Sequence, residues 1–177
     1  PRDARVLYAG TTGGIYRSDS AAMGWKKINN GLISEQELMG AMALGVNVIV
    51  FDVVNPDILY AGTTKGLFRT ITHGEQWERI GQSLPDLFIS AILLDPTQPQ
   101  TLYIGGPGGI WKSSDSGQTW VAVNKGLGSL NIRTLAMSAR DSRILYAGTN
   151  GSGLYRSTDA GANWTALPLT AAAPRTG

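Results

Sequence analysis

The chain has 177 residues, a net charge of +2 and no cysteine. The missing thiols exclude a disulfide scaffold, a zinc–thiolate site and a cysteine nucleophile, and so small a charge gives no argument for nucleic acid, which demands a dense basic patch; no nucleic-acid partner is expected. Charged residues make up only 16% and glycine supplies 23 positions; the glycines cluster without a Gly-X-Y period, so they mark turns and not collagen.

Read in chain order, the first landmark is Leu7-Tyr8-Ala9-Gly10-Thr11. It recurs at Leu59–Thr63 and Leu145–Thr149, with a variant at Leu102–Gly106. The tyrosines are spaced by 52, 43 and 43 residues, and the tryptophans at 25, 77, 120 and 164 by 52, 43 and 44. Two landmarks drifting together define a repeat of about 43 residues in four copies. The odd residue in the last copy comes from a longer loop, Asn150-Gly151-Ser152-Gly153.

Copy one covers 1–32. Its start, Pro1 to Tyr8, matches Ala139 to Tyr146, but the latter follows the strand pattern Ile132–Ser138 and the former follows nothing. Copy one is therefore expected to lack its innermost strand, and the array to close with further blades or another chain, because open sheet edges are normally avoided. The segment 33–45 is an insertion. Ser34 and Glu37 have the form of a capping box, which predicts a short helix over 34–43 and makes the insert a candidate partner contact. Copy two covers 46–84; its apolar stretch from Val46 to Val54 is interrupted by Asn47 and Asp52 and is too short to span a bilayer. No signal peptide is legible. Copy three covers 87–127, where Gly105-Gly106-Pro107-Gly108-Gly109 reads as a hairpin and not a phosphate cradle, since no helix follows. Copy four covers 130–169, with strands expected at Ile132–Ser138, Ile144–Gly148, Gly153–Ser157 and Trp164–Leu167. Residues 170–177 read as a linker or tail. Four short strands per repeat of this length predict an all-β fold, a β-propeller of about four four-stranded antiparallel blades.

After the third strand of each copy comes a turn ending in tryptophan. Copy three has Ser113, Asp115, Gly117 and Trp120; copy four has Ser157, Asp159, Gly161 and Trp164. This S-x-D-x-G-x-x-W pattern resembles the Asp-box, or BNR, repeat. A short carboxylate can accept hydrogen bonds from backbone N–H groups two residues on, and tryptophan supplies an apolar plug between strands. In copies one and two the box has decayed, with Ser20 and Thr72 at the Asp position and Ala22 at the Gly position. The resemblance covers nearly the whole chain and is nearest to photosystem II assembly-factor-like proteins and xyloglucanase-type propellers; sortilin-like receptors and sialidases share the repeat. It implies a bacterial protein, slightly favours a secreted or periplasmic one, and offers protein binding or carbohydrate binding as functions.

No catalytic set emerges. The sialidase Arg-Ile-Pro motif is missing. A glycosidase needs two facing carboxylates, yet Asp3, Asp95, Asp115, Asp141 and Asp159 are assigned to turns, and Asp52, Glu35, Glu37, Glu75, Glu78 and Asp86 form no obvious pair. His73, the only histidine, cannot build a triad or a metal site alone, so no cofactor or metal is expected. One register does recur: a cation follows an aromatic residue in every third strand, at Arg17, Arg69, Lys112 and Arg156. Such stems can cover apolar surface with their heads in water, or form an arc that binds an acidic partner or a glycan. The sequence thus points to a non-catalytic scaffold that recognises a protein or polysaccharide; the alternative is a fragment of a xyloglucanase-like glycoside hydrolase.

Overall fold

A computed structural model describes residues 3–32, 44–85 and 88–168. The expected helix over 34–43 and the tail 170–177 lie outside the described residues. Those described form four antiparallel sheets. The first holds β1 (Leu7–Thr11), β2 (Gly14–Ser18) and β3 (Lys26–Lys27). The second holds β4 (Val46–Phe51), β5 (Leu59–Thr63), β6 (Gly66–Thr70) and β7 (Glu78–Ile80). The third holds β8 (Ala91–Leu94), β9 (Leu102–Gly106), β10 (Gly109–Ser113) and β11 (Val121–Ala122). The fourth runs β12 (Ile132–Met137), β13 (Leu145–Thr149), β14 (Leu154–Ser157) and β15 (Thr165–Leu167), each end within a residue or so of the expected one. Strands pair in sequence order in every sheet, and the first sheet has three strands where the others have four.

Each strand alternates its side chains between two faces, and both faces are apolar. Ala61 and Phe68 pack toward the first blade, while Tyr60 and Leu67 pack toward the third. No blade can shed that surface alone, so the core consists of three clusters, one per junction between consecutive blades.

Tryptophan locks these junctions. Trp77 is 1% exposed and Trp164 4%, and each lies against the preceding blade, not between strands of its own as the sequence reading has it. The Trp77 indole donates to the Ile28 carbonyl at 2.9 Å and that of Trp164 to Val123 at 2.8 Å. Their backbone N–H groups donate to Asn30 and Lys125 of the preceding blade's exit turn, both at 2.8 Å. Gly31 and Gly126 sit in those turns with φ of 85° and 93°, and a Cβ there would lie about 2 Å from the Trp77 or Trp164 carbonyl oxygen. The recurring Asn-x-Gly-Leu is thus a docking turn for the next tryptophan. Its asparagine also closes the hairpin of its own blade, with Asn29 accepting from Ile15 N–H at 2.8 Å and Asn124 from Ile110 N–H at 2.7 Å. Blade two has Gly81-Gln82-Ser83-Leu84 at this place, and the following tryptophan, Trp120, is only half-buried and bonds Gly117 of its own turn at 3.1 Å.

Burying about 200 Å² of indole stabilises by roughly 5 kcal/mol at most, against about 1 kcal/mol for its hydrogen bond. Burial therefore sets the strength of a junction and the bond sets its register. Trp77→Ala and Trp164→Ala should each cost about 3–5 kcal/mol in urea unfolding, and Trp120→Ala distinctly less. Equal losses at all three positions would refute the ranking.

Candidate functional site

The boxes are built around a buried hydroxyl. Ser18, Thr70, Ser113 and Ser157 are each 1% exposed. Each accepts two backbone N–H groups, two and four residues ahead; in copy three these are Asp115 at 3.3 Å and Gly117 at 2.8 Å. The serine then donates to the aspartate, at 2.8 Å for both Ser113–Asp115 and Ser157–Asp159. The carboxylate, half-buried or exposed, closes the far side of the turn: Asp115 accepts from the Gln118 and Thr119 N–H groups and the Thr119 hydroxyl, and Asp159 from the Asn163 N–H and side-chain amide. It therefore reaches three and four residues ahead, not two. Thr72 substitutes for it by accepting the Gln76 N–H at 3.0 Å, whereas Ser20 reaches only back to the Ser18 hydroxyl at 3.5 Å.

The residue after the Asp position is left-handed in every box: Ala21, His73, Ser116 and Ala160. This conformation aims its peptide groups outward. Its N–H donates to the loop joining the first and second strands, at Arg5, Asp57, Gln100 and Arg143. At two junctions its carbonyl receives a tyrosine of the preceding blade: Tyr8 donates to His73 at 2.9 Å and Tyr103 to Ala160 at 3.1 Å. Burial pushes the Tyr103 hydroxyl up to about 12. Sequence spacing gave no sign of these ties; the repeating Tyr, opposite the cation in every blade, is the one signal that could have.

The cations of the arc all lie in register with that tyrosine: Tyr8 with Arg17, Tyr60 with Arg69, Tyr103 with Lys112 and Tyr146 with Arg156. Arg17 lies over the Tyr8 ring at 5.8 Å and pairs with Asp19 at 2.7 Å. Arg69 pairs with Glu78, and Lys112 lies 5.3 Å over Tyr103. Arg156 keeps its Nε buried without a hydrogen-bond partner, beside a cleft of about 270 Å³ on the fourth blade that also holds Asp159 and Asn163.

A second cleft, of about 280 Å³, opens between blades one and two beside the first box-to-tyrosine tie. Asp3, Tyr8, Arg17, Pro56, Asp57 and His73 line it. His73 approaches Asp57 at 3.4 Å. The Arg5 side chain, then its backbone N–H, bonds Asp3 and holds its carboxyl down at about 2; Arg143 does the same for Asp141. Asp52, left over as a free acid in the sequence reading, is buried and accepts the Val54 and Asn55 N–H groups at 2.8 and 2.9 Å. It is the counterpart of Asp95, which caps Thr97 and Gln98. No group of three or more metal-ligating side chains occurs among the described residues, and none of their helices is long and apolar enough to cross a membrane.

Blades of this construction, stacked face to face on interlocking turns, define a β-propeller. Residues 3–176 match the model of the DUF6242 beta propeller domain, and the chain belongs to that family. None of the curated proteins matches it. Among solved structures it is similar to the GH74 xyloglucanase from Xanthomonas campestris (22% identity, TM-score 0.74, 97% of this chain and 30% of that one). It is also similar to YCF48 from Cyanidioschyzon merolae (19%, 0.67, 93% and 54%) and to the extracellular domain of a putative hybrid two-component system from B. thetaiotaomicron (19%, 0.70, 97% and 22%). The chain spans between about a fifth and a half of these structures, and the likeness is one of fold.

Ala22 adopts φ of 73°, which costs an L-residue about 1 kcal/mol or more. Ala22→Gly should therefore stabilise by about 0.5–1 kcal/mol, read as a higher thermal midpoint. Acid acts on the same turns. The Thr119 and Asn163 side chains, then their N–H groups, lower Asp115 and Asp159 from 3.8 to about 2. A carboxyl depressed on folding contributes stability above its unfolded value and loses it as pH falls through the folded one. The urea midpoint should drop between pH about 4 and about 2, and drop less in an Asp115→Asn/Asp159→Asn variant. A variant that tracks the parent throughout would overturn this assignment.

Proposed function

We propose that this run of blades is a non-catalytic binding scaffold that recognises a protein or glycan partner. The observation that carries the reading is that eight of its ten described carboxylates, all but Asp57 and Glu75, are engaged in turns or ion pairs of the fold. Asp52 and Asp95 cap loops, Asp115 and Asp159 close boxes, and Asp3, Asp19, Glu78 and Asp141 pair with arginines. A glycosidase acid must instead hold a proton near neutral pH, through a raised pKa. The cleft between blades one and two does bring Asp3 and Asp57 to one wall, which is the specific observation behind the alternative, a glycoside-hydrolase fragment. There the Arg5 guanidinium already occupies both carboxylate oxygens of Asp3, and this favours the scaffold.

On this reading the row Arg17, Arg69, Lys112 and Arg156 meets the partner, each cation presented beside its tyrosine. Such a row of cations suits both acidic peptide side chains and sugar hydroxyls, the first through charge and the second through hydrogen bonds. The fold neighbours include YCF48 bound to a D1 peptide as well as GH74 enzymes, so both classes of partner are worth testing. Incubation with a panel of plant and bacterial polysaccharides should release no reducing sugar, while binding to a polysaccharide or an acidic peptide in the same panel weakens in Arg17→Ala and Arg156→Ala. Sugar release would reject the reading in favour of the enzyme fragment.

A further inference from the structure

Two Asn-Gly steps occur in the chain, Asn30-Gly31 and Asn150-Gly151. Asparagine before glycine closes readily into a ring, because no Cβ hinders the glycine nitrogen from reaching the side-chain amide carbon. The two steps sit in opposite surroundings. Asn30 lies in the docking turn of blade one. Its carbonyl accepts the Trp77 N–H at 2.8 Å, and its side-chain amide donates to Gln76 Oε1 at 2.5 Å. Gly31 is wedged under the Trp77 carbonyl, so this step cannot turn without opening the junction between blades one and two. Asn150 lies instead at the tip of the β13–β14 hairpin, where Asn150, Gly151 and Ser152 are all exposed. Its side chain has no hydrogen-bond partner among the described residues, and a Cβ on Gly151 would meet nothing within 4 Å. Such exposure belongs to the hairpin tip and not to the last blade, since Pro107 at the tip of blade three is exposed although blade four follows it.

We propose that Asn150 is a site of spontaneous modification, converted to an aspartyl or isoaspartyl residue, and that Asn30 is a second such site kept unreactive by the closed junction. In the first step the Gly151 nitrogen gives up its proton and bonds the side-chain amide carbon of Asn150. The bond from that carbon to its nitrogen breaks, and the nitrogen leaves as ammonia with the proton. Water then opens the cyclic imide at either carbonyl; nothing is oxidised or reduced. Opening at the side-chain carbonyl leaves an ordinary aspartate, and opening at the main-chain carbonyl routes the chain through the side chain as isoaspartate. Both products put a carboxylate at the hairpin tip. The isoaspartyl form also adds a main-chain atom between Thr149 and Gly153, which close the hairpin at 3.0 Å, and strains the bond from Asn150 N–H to the Asn131 carbonyl at 2.8 Å, which fixes the entry to β12. At Asn30 the same product would displace the carbonyl that docks Trp77, so a junction that had opened would not close as before.

The whole chain would be aged in mildly alkaline buffer, with and without denaturing urea, and digested at intervals for peptide mass spectrometry. Isoaspartate would be counted by methyl transfer from S-adenosylmethionine with an isoaspartyl methyltransferase. In buffer the Asn150 peptide should change from amide to acid about tenfold or more faster than the Asn30 peptide, because the latter reacts only through local opening. In urea the two rates should converge, and Asn150→Gln should remove most of the methyl acceptance of the folded chain. Equal rates in buffer, a slow Asn30 in urea as well, or no conversion at Asn150 would each overturn the proposal. None of these outcomes bears on sugar release or partner binding, so the two readings fail separately.

Discussion

Everything in this molecule depends on a blade being unable to bury its own two faces. A four-stranded sheet of short strands has an apolar side toward each neighbour, and only a second blade of complementary shape removes both from water. Junctions, not blades, are therefore the units of stability. At two junctions the box indole, of Trp77 or Trp164, is buried and donates to the preceding blade. Without that covering, the short strands, several of two or three residues, would have little to hold them in register.

The box turn and the junction are mechanically one device. The buried hydroxyl gathers two N–H groups and forces the chain to reverse through a left-handed residue. That reversal presents a carbonyl to the tyrosine of the preceding blade, and it delivers the tryptophan to the same neighbour. The carboxylate on the outside completes the turn, but it lies where water can compete. This ordering explains which parts of the box vary. Ser or Thr is present in all four copies, while the Asp position accepts Ser20 and Thr72 and the Gly position accepts Ala22 at the cost of strain.

Much of this was legible beforehand. The repeat period, the sheet composition of each copy and the strand ends of copy four follow from spacing, because strands and tight turns are local features with local residue requirements. The turn role of Asp115 and Asp159 was legible for the same reason. What escaped sequence reading acts across distance. The bond from Tyr8 to His73 spans 65 residues and that from Trp77 to Ile28 spans 49; no periodicity reveals which face a side chain turns to its neighbour. Asp52 was missed for a different reason. Its counterparts in copies three and four are Asp95 and Ser138, so the recurrence that would mark a capping position is partly hidden by exchange between acceptors.

The junctions are not equivalent, and the inequality has a single origin. Where Asn-x-Gly-Leu follows the fourth strand, in blades one and three, the exit turn holds the next tryptophan by its backbone N–H and the hairpin is closed by the asparagine. Blade two carries Gly81 in place of that asparagine, and both ties are lost together; Trp120 turns back to its own box. The array is thus two tightly coupled pairs of blades joined by a softer seam. Since nearest-neighbour coupling governs how a repeat array opens, exchange of protected amides should be faster across the seam between blades two and three than across either flanking junction. The buried cluster that includes Leu84, Ile89 and Ile104, with the half-buried Trp120 packed against it, remains there, and so the seam is weakened, not absent.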